Sequence, residues 1–349
     1  MIGAGQAGLA AGRALQRAGV DFLILEAGEE PGGSWPSYYD SLTLFSPVRY
    51  SSLPDLPMSG PADHYPARDE VAAYLREYAR HFGLPIRTRA RVDTVERDGK
   101  LFRIRAGIEI FLAKCVIVAS GTFGAPFIPA IPNRDAYGGK VIHSAAYRSP
   151  EQYREHRVIV VGAANSAVQI AVELASVAAT TLATREPIRY APQRLLGKDI
   201  HFWFRLLGID RTNWFSDQGT PVLDDGRYRE AIRDDRPPRR AMFARFSEDG
   251  VIWSDGEQEK IDAVIFATGY RPHWPYLAEL ETDAADGADK RRALPSIPGI
   301  FFVGQPGLTS FASATLRGVG RDAEKMAGKV RRRLMAMASN PLGRPPNVN

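Results

Sequence analysis

The chain has 349 residues, 44% of them hydrophobic, which suggests two domains with apolar content enough for real cores. Its net charge of +5 is spread along the sequence. The run Arg331, Arg332, Arg333 therefore reads as a solvated helix face, and nucleic-acid binding is not expected. No apolar stretch is long enough to span a bilayer and no basic-then-apolar leader precedes the first motif, so the expectation is a cytoplasmic protein with no membrane partner. The one cysteine, Cys115, lies in an apolar strand pattern and reads as a packed core thiol. The absence of C-x-x-C excludes dithiol chemistry and cysteine zinc sites, and no metal is expected.

Residues 1–12 read MIGAGQAGLAAG and contain G-x-G-x-x-G at Gly3, Gly5 and Gly8, with Gln6 and Ala7 between. Such a loop turns a strand tightly, brings backbone close to a pyrophosphate and packs the next helix on the sheet. The pyrophosphate sits on the helix N-terminus, where unpaired N–H groups and the dipole favour negative charge. An Ala-rich helix to Ala18, stopped by Gly19, follows. Residues 21–26 then read as a buried parallel strand that ends in Glu26, 23 residues after Gly3. That is near the spacing at which a carboxylate accepts ribose hydroxyls. Only Met1 and Ile2 precede the loop, so the first strand is expected to be truncated.

Gly32, Gly33, Ser34 and Trp35 come next; Trp35 is either a flat surface beside a ring system or a core anchor. Residues 41–53 form a Ser/Pro-punctuated loop whose Leu44 and Phe45 must bury against something. Helical spacing over 69–82 is followed by strand patterns over 86–95, 101–105 and 115–118. The last of these ends in the small residues Ala119, Ser120, Gly121 and Thr122. A stiff Pro-rich connector at 126–132 marks a natural domain boundary. Beyond it lies Tyr137-x-Gly139-x-x-x-His143-x-x-x-Tyr147. Alone, His143 is more often structural than catalytic.

A second unit begins with a complete buried strand at 158–161 and the loop Gly162, Ala163, Ala164, Asn165, Ser166, Ala167. Here G-x-A-x-x-A replaces G-x-G-x-x-A, so the Ala164 methyl stands where backbone should approach phosphate. The next strand, through Thr184, ends at Arg185, 23 residues after Gly162. At equal spacing, then, the first unit offers a carboxylate and the second a guanidinium. A carboxylate suits free ribose hydroxyls, whereas a guanidinium pairs bidentately with a 2′-phosphate, so the first unit is expected to hold FAD and the second NADPH. Residues 194–207, aromatic-rich, read as one amphipathic helix, either a substrate-side lid or core. A strand over 262–265 runs into Phe266, Ala267, Thr268, Gly269 and Tyr270, echoing 116–122. A final strand reaches Gly304, and a long helix over 312–337 begins near Thr315.

Together GAGQAG, GGxW, ASGT, FATGY and the fingerprint ending in Tyr147 resemble the flavin-containing monooxygenases, especially the short bacterial ones, along nearly the whole chain. Tyr137 replaces the Phe that opens that fingerprint. Tyr147-Arg148 at its end separates the chain from Baeyer–Villiger enzymes. The resemblance implies an α/β fold of two Rossmann-like dinucleotide-binding domains, like glutathione reductase. Residues 1–152 and 271–338 would form the FAD domain and 153–270 the NADPH domain, with a disordered tail over 339–349. It implies an NADPH-dependent monooxygenase that forms a flavin C4a-hydroperoxide and oxygenates sulfur or nitrogen of a small molecule, with O₂ as co-substrate. A homodimer is compatible with it. Val92, Ser120, Gly121, Thr184, Ala267, Thr268, Gly269, Gly304 and Thr315 would join the two loops, Gly33, Ser34 and Trp35 in holding the cofactors. His143 and Tyr147 would align the rings. Phe45 stands where larger members place an Asn near the flavin, which predicts leakage to H₂O₂. Two further readings stay open: an NADPH oxidase or flavin reductase, and an impaired nucleotide-binding protein.

Overall fold

A computed structural model describes residues 1–212, 221–281 and 297–339. The tail expected from residue 339 onward falls, past Ser339, outside the described residues. The helices are α1 (Gln6–Arg17), α2 (Arg68–His81), α3 (Asn165–Leu174), α4 (Ile200–Leu206), α5 (Arg227–Arg233), α6 (Ala278–Glu281) and α7 (Leu316–Ser339).

In the first unit, short parallel strands stand side by side: Ile86–Arg87, Ile24–Leu25, the single residue Ile2, Val116–Val118 and Ile300–Phe302. Ile2 holds the central place, bridging Leu25 on one side and Val118 on the other. The Ile2 N–H donates to Ile117 C=O at 2.8 Å and the Gly3 N–H to Leu25 C=O at 2.8 Å. Two residues thus carry the ladder into the glycine loop. The apolar stripe of α1 (Ala7, Leu9, Ala10, Ala11, Ala14, Leu15) packs against α7 through Val319, Ala323, Met326 and Ala327. The spacing of those side chains matches one buried helix face. On the other side an antiparallel sheet (Thr94–Asp98, Leu101–Ala106, Glu109–Ala113) closes the unit. The strand Glu109–Ala113 escapes sequence patterning because its exposed Ile110 and Leu112 face solvent.

The second unit is a parallel sheet in the order Arg239–Ala241, Ala179–Thr184, Arg157–Val161, Ala263–Phe266, Lys140–His143. Residues 158–161 and Ala263–Phe266, at its centre, are continuous apolar runs, as expected of parallel strands covered on both faces. The strand Lys140–His143 lies before the boundary expected at residue 153 yet pairs inside this sheet. The chain therefore crosses between units over 119–139 and again over 267–273. The two crossings are hydrogen-bonded to each other: Phe127 N–H to Gly269 C=O at 2.9 Å and Arg271 N–H to Ala125 C=O at 3.0 Å. The Thr268 hydroxyl also donates to Phe127 C=O.

Residues 194–207 are not one helix. Arg194–Leu195 and Lys198–Asp199 pair as an antiparallel hairpin. Its two-residue turn has Leu196 at φ +50 and Gly197 at φ +73, the left-handed pair that such a turn demands. Helix α4 starts only at Ile200, capped by the Asp199 carboxylate. No helix among the described residues is long and apolar enough to cross a membrane.

Candidate active site

The two glycine loops are built alike. A Cβ on Gly3 (φ +98) would lie 2.9 Å from Ala119 C=O, and one on Gly162 (φ +143) 2.5 Å from Ala267 C=O. Each loop thus rests directly on the small residue that ends a neighbouring strand. A Cβ on Gly8 would lie 1.9 Å from Gly3 C=O, which fixes the approach of α1 to its own loop. Gly5 caps α1 without any side-chain hydrogen bond, and Ala164 does the same for α3. Ala164 has φ −107, extended backbone that any residue adopts, so its methyl causes no strain. Neither helix N-terminus is capped by a side-chain hydrogen bond from its N-cap residue, which is the condition an anion-binding helix end requires. A dinucleotide fits such cradles.

At the end of the first unit's second strand Glu26 is buried. One of its carboxylate oxygens accepts Ala4 N–H and the other Gly28 N–H at 2.8 Å. Each oxygen keeps a lone pair for a ribose hydroxyl. Ala90 N–H donates to Glu26 C=O at 2.8 Å, which brings the half-buried Val92 to the same end of the sheet. At the matching place in the second unit, Thr184 is buried and Arg185 is exposed. Arg185 makes no ion pair or hydrogen bond among the described residues.

The rest of the first-unit residues gather around Gln6. Its Nε2 donates to Ala314 C=O at 2.7 Å, and its Oε1 accepts from Trp35 Nε1 at 3.2 Å. Trp35, half-buried, packs on the α1–α7 core. Gly33 (φ +59) lies against Gly5, where a Cβ would come within 2.8 Å of the Gly5 Cα. Ser34 caps the short turn Trp35–Ser37. Gly304 (φ +75) lies on Ala7, and Thr315 bonds back to Ala312 C=O at 2.7 Å. Ser120 Oγ meets Tyr276 Oη at 2.7 Å, beside Gly121 at φ +71. In the second unit Ala167 lies under Gly162, and Ser166 sits on the first turn of α3. The Asn165 side chain is spent on protein, binding Pro221 C=O at 3.1 Å and Leu223 N–H at 3.2 Å.

His143 stands where the units meet. Its Nδ1 accepts Ala145 N–H at 3.0 Å, so its Nε2 carries the proton and donates to Gly269 C=O at 2.9 Å. Burial lowers its pKa, against the opposing pull of the Gly269 bond. With both nitrogens engaged by backbone groups, the ring clamps the 267–270 loop. Edge-on ring contacts continue from His143 through Tyr270, Phe123 and Tyr38 to Trp35, at 4.9, 4.8, 5.7 and 5.4 Å. Tyr147 belongs to the core cluster that also holds Ala167 and Ala267. It is fully buried in the second unit's core, stacks near Tyr153, and donates to Glu173 at 2.8 Å. Burial followed by the Glu173 contact pushes its hydroxyl pKa far up. Cys115 is half-buried against the first core, with its thiol pKa raised chiefly by burial.

Phe45, 38% exposed, sits apart from Gln6 in a cluster that the sequence did not reveal. Its ring stacks on His201 at 6.4 Å and 14°. Its carbonyl accepts Gln193 Nε2 at 2.9 Å. Both partners converge on the buried Asp199. A sequence signal for it existed: Asp199 directly precedes the apolar run of α4, the place of a helix cap.

A family model described as pyridine nucleotide-disulphide oxidoreductase matches residues 1–200. A flavin-containing monooxygenase from Stenotrophomonas maltophilia superposes with a TM-score of 0.82 at 33% identity, over 95% of this chain and 97% of that one. An uncharacterized oxidoreductase CzcO-like protein of Geobacillus kaustophilus is 32% identical over 95% of this chain and 97% of its own. The probable indole-3-pyruvate monooxygenase YUCCA1 of Arabidopsis thaliana is 29% identical over 95% of this chain and 88% of its own. The chain belongs to the pyridine nucleotide-disulphide oxidoreductases and, among them, to the flavin-containing monooxygenases. It is an oxidoreductase whose cofactors are those of that family, FAD and NADPH.

Proposed function

We propose that the first unit seats FAD and the second NADPH, and that the enzyme oxygenates a sulfur or nitrogen atom of a small molecule with O₂. The observation that carries this reading is the charge reversal at the ends of two like-built loops. Glu26 is a fixed, buried acceptor, and Arg185 is an exposed cation with no partner among the described residues. The first suits ribose hydroxyls and the second a 2′-phosphate. Residues 1–152 with 271–338 make the FAD domain and 153–270 the NADPH domain, with the strand Lys140–His143 lent across the boundary.

FAD, held by the first glycine loop and Glu26, would supply the redox chemistry, that is hydride acceptance from the nicotinamide and activation of O₂ toward a soft nucleophile. The chain's own residues bind and orient. Gln6 ties Trp35 to the turn before α7, so that one side chain sets both walls beside the first loop. His143 fixes the 267–270 loop against the end of the strand Lys140–His143. With no acid–base pair at either loop among the described residues, catalysis rests on placement and exclusion of water. Phe45 offers no hydrogen-bond donor from its side chain, which favours some loss of reducing power to H₂O₂.

The test uses methyl phenyl sulfide as probe. Anaerobic NADPH should bleach the flavin band near about 450 nm. Admission of air should then give the sulfoxide in the balance NADPH + H⁺ + O₂ + sulfide → NADP⁺ + H₂O + sulfoxide. NADPH loss matched wholly by H₂O₂, with no sulfoxide from this probe or from a tertiary amine, would establish the oxidase instead.

A further inference from the structure

We propose that Asp199 and His201 are positioning residues for Phe45, and that through Phe45 they set substrate affinity and the fraction of NADPH lost to H₂O₂. Asp199 and His201 belong to the second unit, Phe45 to the first. The kinetic part rests on the monooxygenase reading; the positional part does not.

The Asp199 carboxylate is 9% exposed and has every hydrogen bond it needs. Its Oδ2 accepts Tyr65 Oη–H at 2.6 Å and Gln193 Nε2–H at 2.8 Å. Its Oδ1 accepts His201 N–H at 2.8 Å and His201 Nδ1–H at 2.7 Å. Burial alone would raise its pKa; these bonds outweigh burial and hold it at about 2. The hub is therefore anionic, and an anion in a buried place orders its donors strongly.

Two of those donors lead to Phe45. Gln193, besides bonding Asp199, gives a hydrogen of the same Nε2 to Phe45 C=O. His201, 1% exposed and carrying a proton on Nδ1, holds its ring nearly parallel to the Phe45 ring, offset from it with centroids 6.4 Å apart. Tyr50 and Phe204 border the same imidazole at 6.2 and 5.6 Å. Phe45 is thus held at its backbone through Gln193 and flanked at its ring by His201, and it remains 38% exposed. Tyr65, on the first unit, ties the hub to the chain just beyond the Phe45 loop, which itself bonds residue 66 through Leu44 N–H and Pro66 C=O at 2.8 Å. A ring held from both units cannot follow thermal motion of its loop alone. A rigid apolar wall excludes water and holds a substrate atom in place better than a mobile one.

The experiment compares FAD-loaded wild type with D199N, H201A and H201F. D199N keeps shape but converts one acceptor oxygen into a donor; H201F keeps a ring to stack and loses the Nδ1–H. Hydrogen exchange of peptides covering 41–50 is measured without turnover. Separately, the KM for methyl phenyl sulfide, the H₂O₂ released per NADPH and the anaerobic rate of flavin reduction by NADPH are measured. The expected result is faster exchange over 41–50 in D199N and H201A, and a rise of about fivefold or more in sulfide KM with a higher H₂O₂ ratio. Flavin reduction should stay within about twofold of wild type, and H201F should recover part of the loss through its ring. A merely structural defect would slow flavin reduction along with everything else. If D199N loses FAD, Y65F, which removes one donor from the surface side, is read in its place. Unchanged exchange over 41–50, or unchanged KM and H₂O₂ ratio alongside changed exchange, overturns the proposal. Wild type that makes no sulfoxide overturns the monooxygenase reading, and the exchange data then decide the positional claim alone.

Discussion

Glu26 and Arg185 occupy matching ends of matching strands, and their surroundings differ as their charges do. Glu26 already accepts two backbone N–H groups, so its orientation is set before any ligand arrives. Arg185 is exposed and makes no ion pair or hydrogen bond among the described residues. Arg185→Ala should raise the KM for NADPH about tenfold or more and leave NADH use nearly unchanged, as losing a charge-assisted pair of ~1.5–3 kcal/mol requires. Equal losses with both nucleotides would show that Arg185 does not read the phosphate. The positions of Glu26 and Arg185 at the strand ends were legible because spacing alone sets them. Tyr147 was not: its motif marks a position in the chain, and only the fold shows that the position lies in the core, under Tyr39 and Tyr153. His143 was half legible. Its place between the units follows from the motif, but its engaged nitrogens depend on a carbonyl 126 residues away.

Among the elements, the glycine-bearing loops were read in sequence for what glycine permits, and the structure adds which neighbour forbids a side chain. At Gly304, φ +75, a Cβ would meet the Ala7 Cβ at 2.3 Å. Gly304→Ala would push α1 off the sheet or twist the turn, and should lower stability by roughly 2 kcal/mol or more, with FAD content falling in parallel. Gly121 has a similar φ of +71 but nothing within 4 Å. Gly121→Ala should cost only about 1 kcal/mol, the backbone part of the penalty. Urea melts of both proteins check the difference, and equal losses would mean that the contact with α1 relaxes freely. The hairpin at 194–199 was not legible because its strands are two residues each and the aromatic run behind them has helical spacing. Only the left-handed pair Leu196-Gly197 marks it, and a leucine there gives no turn signal.

At the level of the whole molecule, the segment 193–212 fastens one unit to the other. Asp199 takes Tyr65, and Arg317 on α7 pairs with Asp210 at 3.0 Å, both side chains 10% exposed. Thr212 C=O accepts Phe311 N–H at 2.8 Å. This fastening has a pH signature. Asp199 falls from an ordinary 3.8 to about 2 in the folded protein. A depressed carboxylate contributes its stability above the unfolded pKa and loses it as pH falls through the folded one. The contribution, about 2 kcal/mol, should be whole above about pH 5 and vanish between about pH 4 and pH 2. The stability gap between wild type and D199N, taken from urea melts at each pH, should close over that interval. A gap that ignores pH would mean the carboxylate is not held anionic by its four donors.

The paired crossings at 119–139 and 267–273 carry one last consequence. Among the described residues the two passages between the units run side by side and are bonded to each other, so the covalent joint is concentrated in one place. The fastenings at Asp199 and Asp210 lie elsewhere and are made by side chains. A seam made of side chains can be tightened or slackened by one codon, whereas the joint itself cannot, so single substitutions at Tyr65, Asp199, Asp210 or Arg317 are where the grip between the units is tunable.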